Sequence, residues 1–254
     1  MTALTVEHLS KRFGGLLATN DVSFQVAEHS LTALIGPNGA GKTTLFNLIT
    51  NLFAADSGQV IFDGRNLAGR SPGAIARLGL IRTFQTARVF PGMTVLENVL
   101  CGRHRLLRQS LPGSVAWLPG VLREERRTAE QARGLLDLVG LADSATRPAT
   151  ELPMGGQKLL EVIRAVMAQP RLLLLDEPAA GLNDTETAEL ATLLRAVRDC
   201  GVTVMVVEHN MSLVMTIADQ VVVLETGAVI ATGTPAEIQA NPRVIAAYLG
   251  QDPV

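Results

Sequence analysis

The apolar residues of this chain fall into short strand-like runs that are separated by helical patterns. Three runs near the N-terminus alternate between apolar and polar positions, as half-buried strands do: residues 4–9, 22–26 and 60–62. Three other runs are apolar almost throughout, which predicts fully buried strands: residues 31–35, 172–175 and 203–207. Such runs favour a parallel sheet with helices on both faces, so the sequence predicts an α/β fold.

Helical patterns dominate the middle of the chain. Apolar positions recur at helical spacing over residues 94–105 and 123–139, and a strongly amphipathic helix is predicted after Gly155-Gly156, ending at about Ala168. Shorter elements complete the pattern: strands over 80–84, 221–224 and 229–231, a helix over 184–200, and helices near Pro235 and Pro242. We therefore predict one domain over residues 1–254, in which a helical insertion, 86–169, interrupts a core formed by 1–85 and 170–254.

Residues 36–44, GPNGAGKTT, have the features of a phosphate-binding loop. They lie between the predicted strand 31–35 and a helical run over 45–52, which is the context that the motif requires. The glycines allow the backbone to curl, so that N–H groups and the helix N-terminus face a phosphate. Lys42 supplies a positive charge to the β- and γ-phosphates, and the Thr43 hydroxyl can bind Mg²⁺. We predict a nucleoside triphosphate site at Gly36, Pro37, Asn38, Gly39, Ala40, Gly41, Lys42, Thr43 and Thr44.

Polar residues follow the predicted buried strands. Asp176 ends the leucine run, where open parallel sheets bind ligands, and can hold Mg²⁺ between the β- and γ-phosphates. Glu177 comes next and could polarise a water molecule for attack on the γ-phosphorus. His209 follows strand 203–207 and could contact the γ-phosphate or orient Glu177, while the amide of Gln85 could reach the metal or the water. A plain acidic turn and a solvated strand-end histidine are the structural alternatives.

Charge and composition restrict the partners. The 254 residues carry a formal net charge of −2, which argues against nucleic acid as the main partner. Cys101 and Cys200 lie far apart in apolar runs and are interpreted as free buried thiols of a reducing compartment. The N-terminus has no apolar signal core, and no apolar run is long enough to cross a bilayer, so we expect a cytoplasmic protein.

Together and in this order, the motifs resemble those of the nucleotide-binding subunit of an ATP-binding cassette (ABC) transporter. Besides the phosphate loop, Gln85 and His209, the resemblance includes ELPMGGQ at 151–157, LLLLDEP at 172–178 and AAGLN at 179–183, and it spans the whole chain. It implies a RecA-like P-loop NTPase core with an antiparallel β subdomain and an inserted helical subdomain. It also implies that two such subunits enclose two ATP molecules with Mg²⁺, and that ATP hydrolysis drives transport.

The resemblance also implies roles for individual residues. Catalytic roles fall on Glu177, His209, Lys42 and Gln85, and the Mg²⁺ ligands are Thr43, Gln85 and Asp176. Phe13 stands where an aromatic residue of the family stacks on adenine, although a packing role for Phe13 stays open. Gly155 lies in the signature loop, which contacts the ATP bound to the partner subunit.

Within the family, the chain is most similar to the larger ATPase of branched-chain, or hydrophobic, amino-acid uptake systems. The segments that carry this likeness are RTFQTARVFPGMTVLENVL, EPAAGLN, VEHNMSLVM and the tail GTPAEIQANPRVIAAYLG. It implies a second, related ATPase subunit, two integral membrane permease subunits and, indirectly, a periplasmic solute-binding protein. The chain would then lie peripherally at the cytoplasmic face of the inner membrane. The likeness favours a heterodimer, and the sequence alone leaves a homodimer open.

The signature loop departs from the pattern LSGGQ, because it reads Leu152-Pro153-Met154-Gly155-Gly156. Pro153 supplies neither the serine hydroxyl nor a backbone N–H donor. We therefore expect a competent ATP site on this chain and a weaker one where its signature completes the site of the partner. This departure does not affect the chain's own ATP site, which consists of the phosphate loop, Asp176, Glu177 and His209.

The sequence leaves three other classes of protein as alternatives to a transporter ATPase. A phosphate-loop kinase would need an acceptor pocket and would not use Gly155-Gly156 or AAGLN. A soluble ATPase of DNA repair or translation would show a coiled-coil insertion, tandem cassettes or a basic surface. A regulatory ATP-binding module would be expected to lack Glu177 or His209. For an importer, urea, amides, carboxylates and other amino acids are alternative solutes to branched-chain amino acids.

Overall fold

The structure is a computed structural model that describes residues 1–83, 89–103 and 119–249, with the backbone alone for 119–122 and 249. Its backbone divides into two compact units. The first contains Met1–Gln85, Arg171–Ala180 and Leu194–Val254, and the second contains Thr86–Pro170 and Gly181–Leu193. Within the described ranges, no helix combines the length and the apolar composition that are needed to cross a membrane.

The strands belong to the first unit. In chain order they are β1 (Thr2–Phe13), β2 (Leu16–Ala27), β3 (Leu31–Ile35), β4 (Ser57–Phe62), β5 (Arg65–Asn66), β6 (Leu80–Arg82), β7 (Leu172–Asp176), β8 (Thr203–Val207), β9 (Gln220–Glu225) and β10 (Ala228–Gly233). Four of them form an antiparallel sheet in the order β2-β1-β4-β5. The other six form a sheet in the order β10-β9-β3-β8-β7-β6, in which only β10 runs antiparallel to its neighbour.

The six-stranded sheet positions the chemistry of the first unit. Every residue of β3, β7 and β8 is buried, as their unbroken apolar runs predict. β8 lies between β3 and β7 and runs parallel to both. The residues that follow these three strands therefore meet at one edge of the sheet, which is where open parallel sheets bind ligands.

The helices are α1 (Lys42–Ile49), α2 (Pro72–Leu78), α3 (Val95–Cys101), α4 (Pro119–Leu138), α5 (Met154–Met167), α6 (Asp184–Asp199), α7 (Met211–Ile217), α8 (Pro235–Gln239) and α9 (Pro242–Leu249). In the second unit, α3, α4 and α5 pack on one another. α3 begins with a reciprocal capping box, because Thr94 Oγ1 accepts from the Glu97 amide while the Glu97 carboxylate accepts from the Thr94 amide. The buried apolar face of this unit includes Val95, Val99, Ala132, Leu136, Leu159, Leu160 and Ile163.

The longest buried runs are the elements that the sequence predicts best. β3 and β8 have the predicted bounds, and β7 extends the predicted run by one residue, Asp176. The prediction that the amphipathic helix follows Gly155-Gly156 is wrong: α5 begins at Met154, so both glycines lie in its first turn. The helix of the phosphate loop likewise spans Lys42–Ile49 instead of 45–52, because its N-terminus starts inside the loop. The prediction that both cysteines are buried is also wrong, since Cys101 is half-buried and Cys200 is exposed.

Candidate functional site

Glycine is required in the loop after β3 because the backbone there approaches its neighbours closely. Gly41 has φ +97°, and a Cβ atom at this position would lie 2.4 Å from the carbonyl oxygen of Ala18 in β2. At Gly36 a Cβ atom would lie 2.1 Å from the carbonyl oxygen of Leu224 in β9. Gly41 is also the N-cap of α1 and offers no side chain to cap the helix. The N–H groups of the first turn of α1 are thus a ready anion site.

Lys42 folds back over this loop. Its Nζ donates to the carbonyl oxygens of Gly36, at 2.6 Å, and Pro37, at 2.9 Å, and its side chain is buried. Burial lowers the pKa of Lys42 below its ordinary value of 10.5, and the negative charges of Glu177 and Asp176 act in the opposite direction. The ammonium group is therefore held beside the loop and near two carboxylates.

A cavity of about 390 Å³ lies along the loop. Its lining consists of residues from β2, the loop, the start of α1 and the turns after β7 and β9: Leu16, Leu17, Ala18, Asn38, Gly39, Ala40, Gly41, Lys42, Thr43, Thr44, Glu177 and Thr226. The cavity joins the backbone amides of the loop to the acidic end of β7. Its polar and charged lining suits a phosphorylated ligand.

Asp176 is the last residue of β7 and is almost fully buried. Its Oδ2 accepts a hydrogen bond from Arg82 Nη2 at 2.8 Å. The same guanidinium donates through Nη1 to Asn47 Oδ1 of α1 at 2.6 Å. Arg82 thus connects the carboxylate at the end of β7 to the helix that follows the phosphate loop.

The donor set at this edge fits Mg²⁺. Asp176 Oδ1 is buried and has no hydrogen-bond partner among the described residues. The Thr43 side chain is exposed in the first turn of α1. A carboxylate oxygen and a hydroxyl are the hard ligands that Mg²⁺ takes, and it commonly binds through one or two protein groups together with phosphate oxygens. Gln85, the third predicted ligand, lies outside the described residues.

Glu177 and His209 face each other across the ends of β7 and β8. His209 Nδ1 lies 4.0 Å from Glu177 Oε2, and the histidine side chain is 60% exposed. Glu177 has φ +48°, a left-handed conformation that costs a non-glycine residue about 1–3 kcal/mol. Its amide donates to the Val207 carbonyl oxygen at 3.0 Å. The turn after β7 is therefore held against β8 in a strained conformation that aims a carboxylate at the cavity.

A buried carboxylate that the sequence analysis missed lies behind this pair. Glu208 is fully buried, and its Oε1 accepts from the Ala179 amide at 2.8 Å. Its Oε2 accepts from the amides of His209, at 3.2 Å, and Asn210, at 3.4 Å. Burial raises the pKa of Glu208 above its ordinary value of 4.5, while these amides act to lower it. The available signal was an acidic residue that directly extends a fully buried strand.

Phe13 is placed at the end of β1 and is 42% exposed. Its ring meets that of Phe53 edge to face, with centroids 5.4 Å apart, and Lys11 Nζ lies 5.5 Å from the centroid of Phe13. Leu16, Leu17 and Ala18 line the cavity, and Phe13 does not. Stacking of Phe13 on adenine stays a prediction.

The signature segment lies in the second unit. Pro153 is the N-cap of α5 and makes no side-chain capping bond. A Cβ atom at Gly155 would lie 2.3 Å from Glu186 Oε1, so a larger residue here would require this carboxylate to move. Glu186 itself belongs to a reciprocal cap with Asn183 at the start of α6, with both bonds at 3.0 Å. Gly155 thus lies in close contact with the Glu186 side chain in the first turn of α5.

The structure brings most of the predicted site together in the first unit. The phosphate loop, Asp176, Glu177 and His209 all surround or approach the ends of β3, β7 and β8. Arg82 and Glu208 join them, although the sequence analysis singled out neither. For Arg82, the available signal was a charged side chain within the short strand-like run LIRTF.

Comparison with known proteins agrees with this geometry. The ABC transporter family matches residues 19–180, and the family of branched-chain amino acid ATP-binding cassette transporters matches residues 228–253. The chain is 45% identical over 249 residues to the high-affinity branched-chain amino acid transport ATP-binding protein BraF of Pseudomonas aeruginosa. It is 42% identical over 249 residues to the corresponding protein LivG of Escherichia coli. Both alignments cover 98% of each chain.

A solved structure shows the same fold. The crystal structure of an ATP-binding cassette of an ABC transporter in its ADP conformation has a TM-score of 0.85 and 32% identity. The match covers 99% of this chain and 100% of that one. The fold and the phosphate loop of this chain are those of a RecA-like ATP-binding cassette ATPase. The chain belongs to the ABC transporter family and, as a member of it, binds ATP.

Proposed function

We propose that this chain is the ATP-hydrolysing subunit of an ABC importer for branched-chain or other hydrophobic amino acids. The observation that carries the proposal is the placement of Lys42 and Glu177 in the lining of one cavity along the phosphate loop, with the carboxylate of Asp176 close enough to act on the charge of Lys42. Support for the cargo comes from BraF and LivG, which are named as branched-chain amino acid transport proteins and match the chain over nearly its whole length.

The phosphate loop binds the triphosphate of ATP. The amides of the loop and of the first turn of α1 surround the phosphate oxygens. Lys42 exchanges the carbonyl oxygens of Gly36 and Pro37 for the β- and γ-phosphates, which restores a strong partner to its desolvated charge. Leu16 and Phe13 lie on the strands next to the loop and contact the adenine end of the nucleotide.

Thr43, Asp176 and Gln85 would hold Mg²⁺. The bound ion would supply positive charge that offsets the negative charge developing on the phosphates during hydrolysis. Arg82 occupies Oδ2 of Asp176 and leaves Oδ1 for the ion. The carboxylate is thus oriented before the nucleotide arrives.

Glu177 orients and polarises the attacking water. Its carboxylate is only 21% exposed, and the strained turn after β7 directs it into the cavity beside Lys42. His209, 4.0 Å away, stabilises the orientation of this carboxylate and reaches toward the γ-phosphate. A correctly placed general base contributes about 10²- to 10⁴-fold to a rate.

Hydrolysis is coupled to transport through the other subunits. We assign 1–85 and 170–254 to the nucleotide-binding core and 86–169 to the helical subdomain. Gly155 and the start of α5 contact ATP bound to a second ABC ATPase subunit, and Gln85 transmits the change to two membrane permease subunits. The chain then lies at the cytoplasmic face of the inner membrane, and a periplasmic binding protein delivers the solute.

Reconstitution tests the proposed function. The chain is co-expressed with its companion ATPase and the permease subunits, purified from membranes and placed in proteoliposomes with the binding protein. We expect MgATP hydrolysis that rises when the binding protein carries leucine, isoleucine or valine, and uptake of that amino acid. A complex with Glu177→Gln is the slow control, with residual hydrolysis about 10²- to 10⁴-fold below that of the unmodified complex. Failure to co-purify with membrane subunits contradicts the transport role, and stimulation by urea or an amide alone contradicts the cargo.

A further inference from the structure

We propose that Glu208 is a positioning residue for ATP hydrolysis, because its carboxylate fixes the loop of Glu177 relative to the loop of His209. This inference rests on the hydrolytic roles proposed above for Glu177 and His209. Glu208 itself is not among the residues that line the cavity. Its effect on the reaction is therefore indirect and acts through the turn after β7.

The two oxygens of Glu208 serve two different loops. Oε1 accepts from Ala179, two residues after Glu177, and Oε2 accepts from the amides of His209 and Asn210. Among the described residues, these main-chain amides are its hydrogen-bond partners, and it forms no ion pair there. One rigid planar group thus connects the two segments that carry the water-directing side chains.

This connection is fully buried, so a hydrogen bond lost from it is not replaced by solvent. The Glu208 side chain has no exposed surface, so water does not replace a lost amide partner. The Glu208 amide also donates to the Leu34 carbonyl oxygen of β3 at 3.3 Å. The main chain and the side chain of Glu208 thereby link strand β3 to the turns after β7 and β8.

The turn that Glu208 holds is strained. Glu177 has φ +48°, and such a conformation persists only where surrounding contacts over-determine it. The turn has two described main-chain contacts with β8 and its extension: Glu177 N to Val207 O, and Ala179 N to Glu208 Oε1. Loss of the second contact allows the Glu177 carboxylate to move, and a displacement of about 1 Å costs up to about 10²-fold in rate.

Glu208→Gln is the informative variant. The amide side chain keeps one acceptor oxygen and places an NH₂ group against a main-chain N–H, so only one loop stays bound. In the assembled complex we expect kcat for ATP to fall about 10- to 100-fold while KM for ATP stays within about twofold. Glu208→Asp keeps the charge but is one methylene shorter, and we expect an intermediate kcat.

Asp219→Asn is the matched control. Asp219 is also a carboxylate that accepts a main-chain amide, that of Leu31 at 2.7 Å, but it lies at the opposite end of β3. We expect its kcat and KM to match those of the unmodified complex. Thermal unfolding of each purified complex shows whether it is folded, and Glu208→Asp is measured in the same way if Glu208→Gln fails to fold.

A double-mutant cycle separates positioning from a purely structural role. Because Glu208 acts through Glu177, adding Glu208→Gln to Glu177→Gln should slow hydrolysis no further. The inference would be overturned by an unchanged kcat in Glu208→Gln or by a loss of kcat/KM that comes from KM instead of kcat. A multiplicative loss in the double variant would also overturn it. If the unmodified complex does not hydrolyse ATP, the proposed function fails first, and this outcome is distinct from the others.

Discussion

Arg82 Nη2 donates to Asp176 Oδ2 at 2.8 Å in a pair whose side chains are only 9% and 3% exposed. The second carboxylate oxygen of Asp176 has no hydrogen-bond partner among the described residues. The two oxygens of one carboxylate are therefore divided between a protein cation and the site that we assign to Mg²⁺. The same arginine reaches Asn47 on α1, so the pair also links β7 to the helix of the phosphate loop.

Removal of Arg82 should destabilise the protein strongly. In Arg82→Ala the Asp176 carboxylate stays buried without its partner, and breaking a buried pair in this way costs about 3–5 kcal/mol. Urea denaturation measures the free energy of unfolding. Arg171→Ala is the control, since Arg171 pairs with Asp63 at the surface and its loss should cost about 1 kcal/mol or less. Equal losses in the two variants would show that burial of the Arg82 pair has no energetic importance.

The glycines of the phosphate loop should differ in their tolerance of a methyl group. Gly41 and Gly39 both have positive φ, but a Cβ atom meets the Ala18 carbonyl oxygen only at Gly41 and has open space at Gly39. Gly39→Ala should cost about 1–2 kcal/mol from backbone strain alone. Gly41→Ala should cost about 1–3 kcal/mol more, because strands and loop must move apart. Denaturation midpoints of both variants test this order, and a reversed order would contradict the packing described.

Ionisation of Glu208 should lower the free energy of unfolding, and the pH dependence of stability should show this. Its pKa is raised in the folded protein, so between the ordinary value of 4.5 and the raised value the folded state holds one more proton than the unfolded chain. The free energy of unfolding therefore falls as the pH rises through this window. Glu208→Gln should remove this negative contribution, which is measured by urea denaturation from about pH 4 to about pH 7.

Glu237 provides the comparison of opposite sign. The Thr234 amide, and then the Thr234 hydroxyl, lower the pKa of Glu237 in the cap of α8. The unfolded chain then binds the proton more readily, and this contribution to stability is lost as the pH falls through the folded pKa. Glu237→Gln should remove a positive slope where Glu208→Gln removes a negative one. Slopes of the same sign in both differences would refute the interpretation of Glu208.

The two ATP sites of the assembled pair should be unequal. Pro153 gives α5 no side-chain cap and no hydroxyl for the partner's nucleotide, whereas the chain's own site contains the loop, Asp176 and Glu177. Glu177→Gln in this chain should therefore remove more of the total ATP turnover than the matching substitution in the companion subunit. Steady-state turnover of each single variant of the complex is the measurement. Equal losses from the two substitutions would remove the asymmetry.

The sequence predicts the central sheet well because its strands are buried on both faces. The runs at β3, β7 and β8 are almost purely apolar, and only a sheet between two layers explains such runs. The sequence does not predict α2 and α7, which have seven residues each and therefore few apolar positions to define a helical period. α3 has the same length and lies within the longer helix predicted over 94–105. The predicted start of α5 is too late because glycine weakens the helical pattern, whereas both glycines lie in its first turn.

The sequence predicts those parts of the candidate site that are formed by neighbouring residues along the chain. The phosphate loop and the Asp176-Glu177 step are continuous in sequence, and their chemistry follows from residue type and position. Arg82 and Glu208 act across strands, on Asp176 and on Ala179, so their partners become visible only when the strand order is known. Single-sequence patterns contain no information on such pairs.

Binding of MgATP to the purified chain tests the central claim most directly. Isothermal titration should show saturable binding that requires Mg²⁺, and Lys42→Ala should weaken it about 10- to 100-fold because one charged contact to the phosphates is lost. Arg198→Ala, whose arginine pairs with Asp199 and Asp219 away from the loop, should bind like the unmodified chain. No magnesium-dependent binding in the unmodified chain, or equal affinity in Lys42→Ala, would contradict the account.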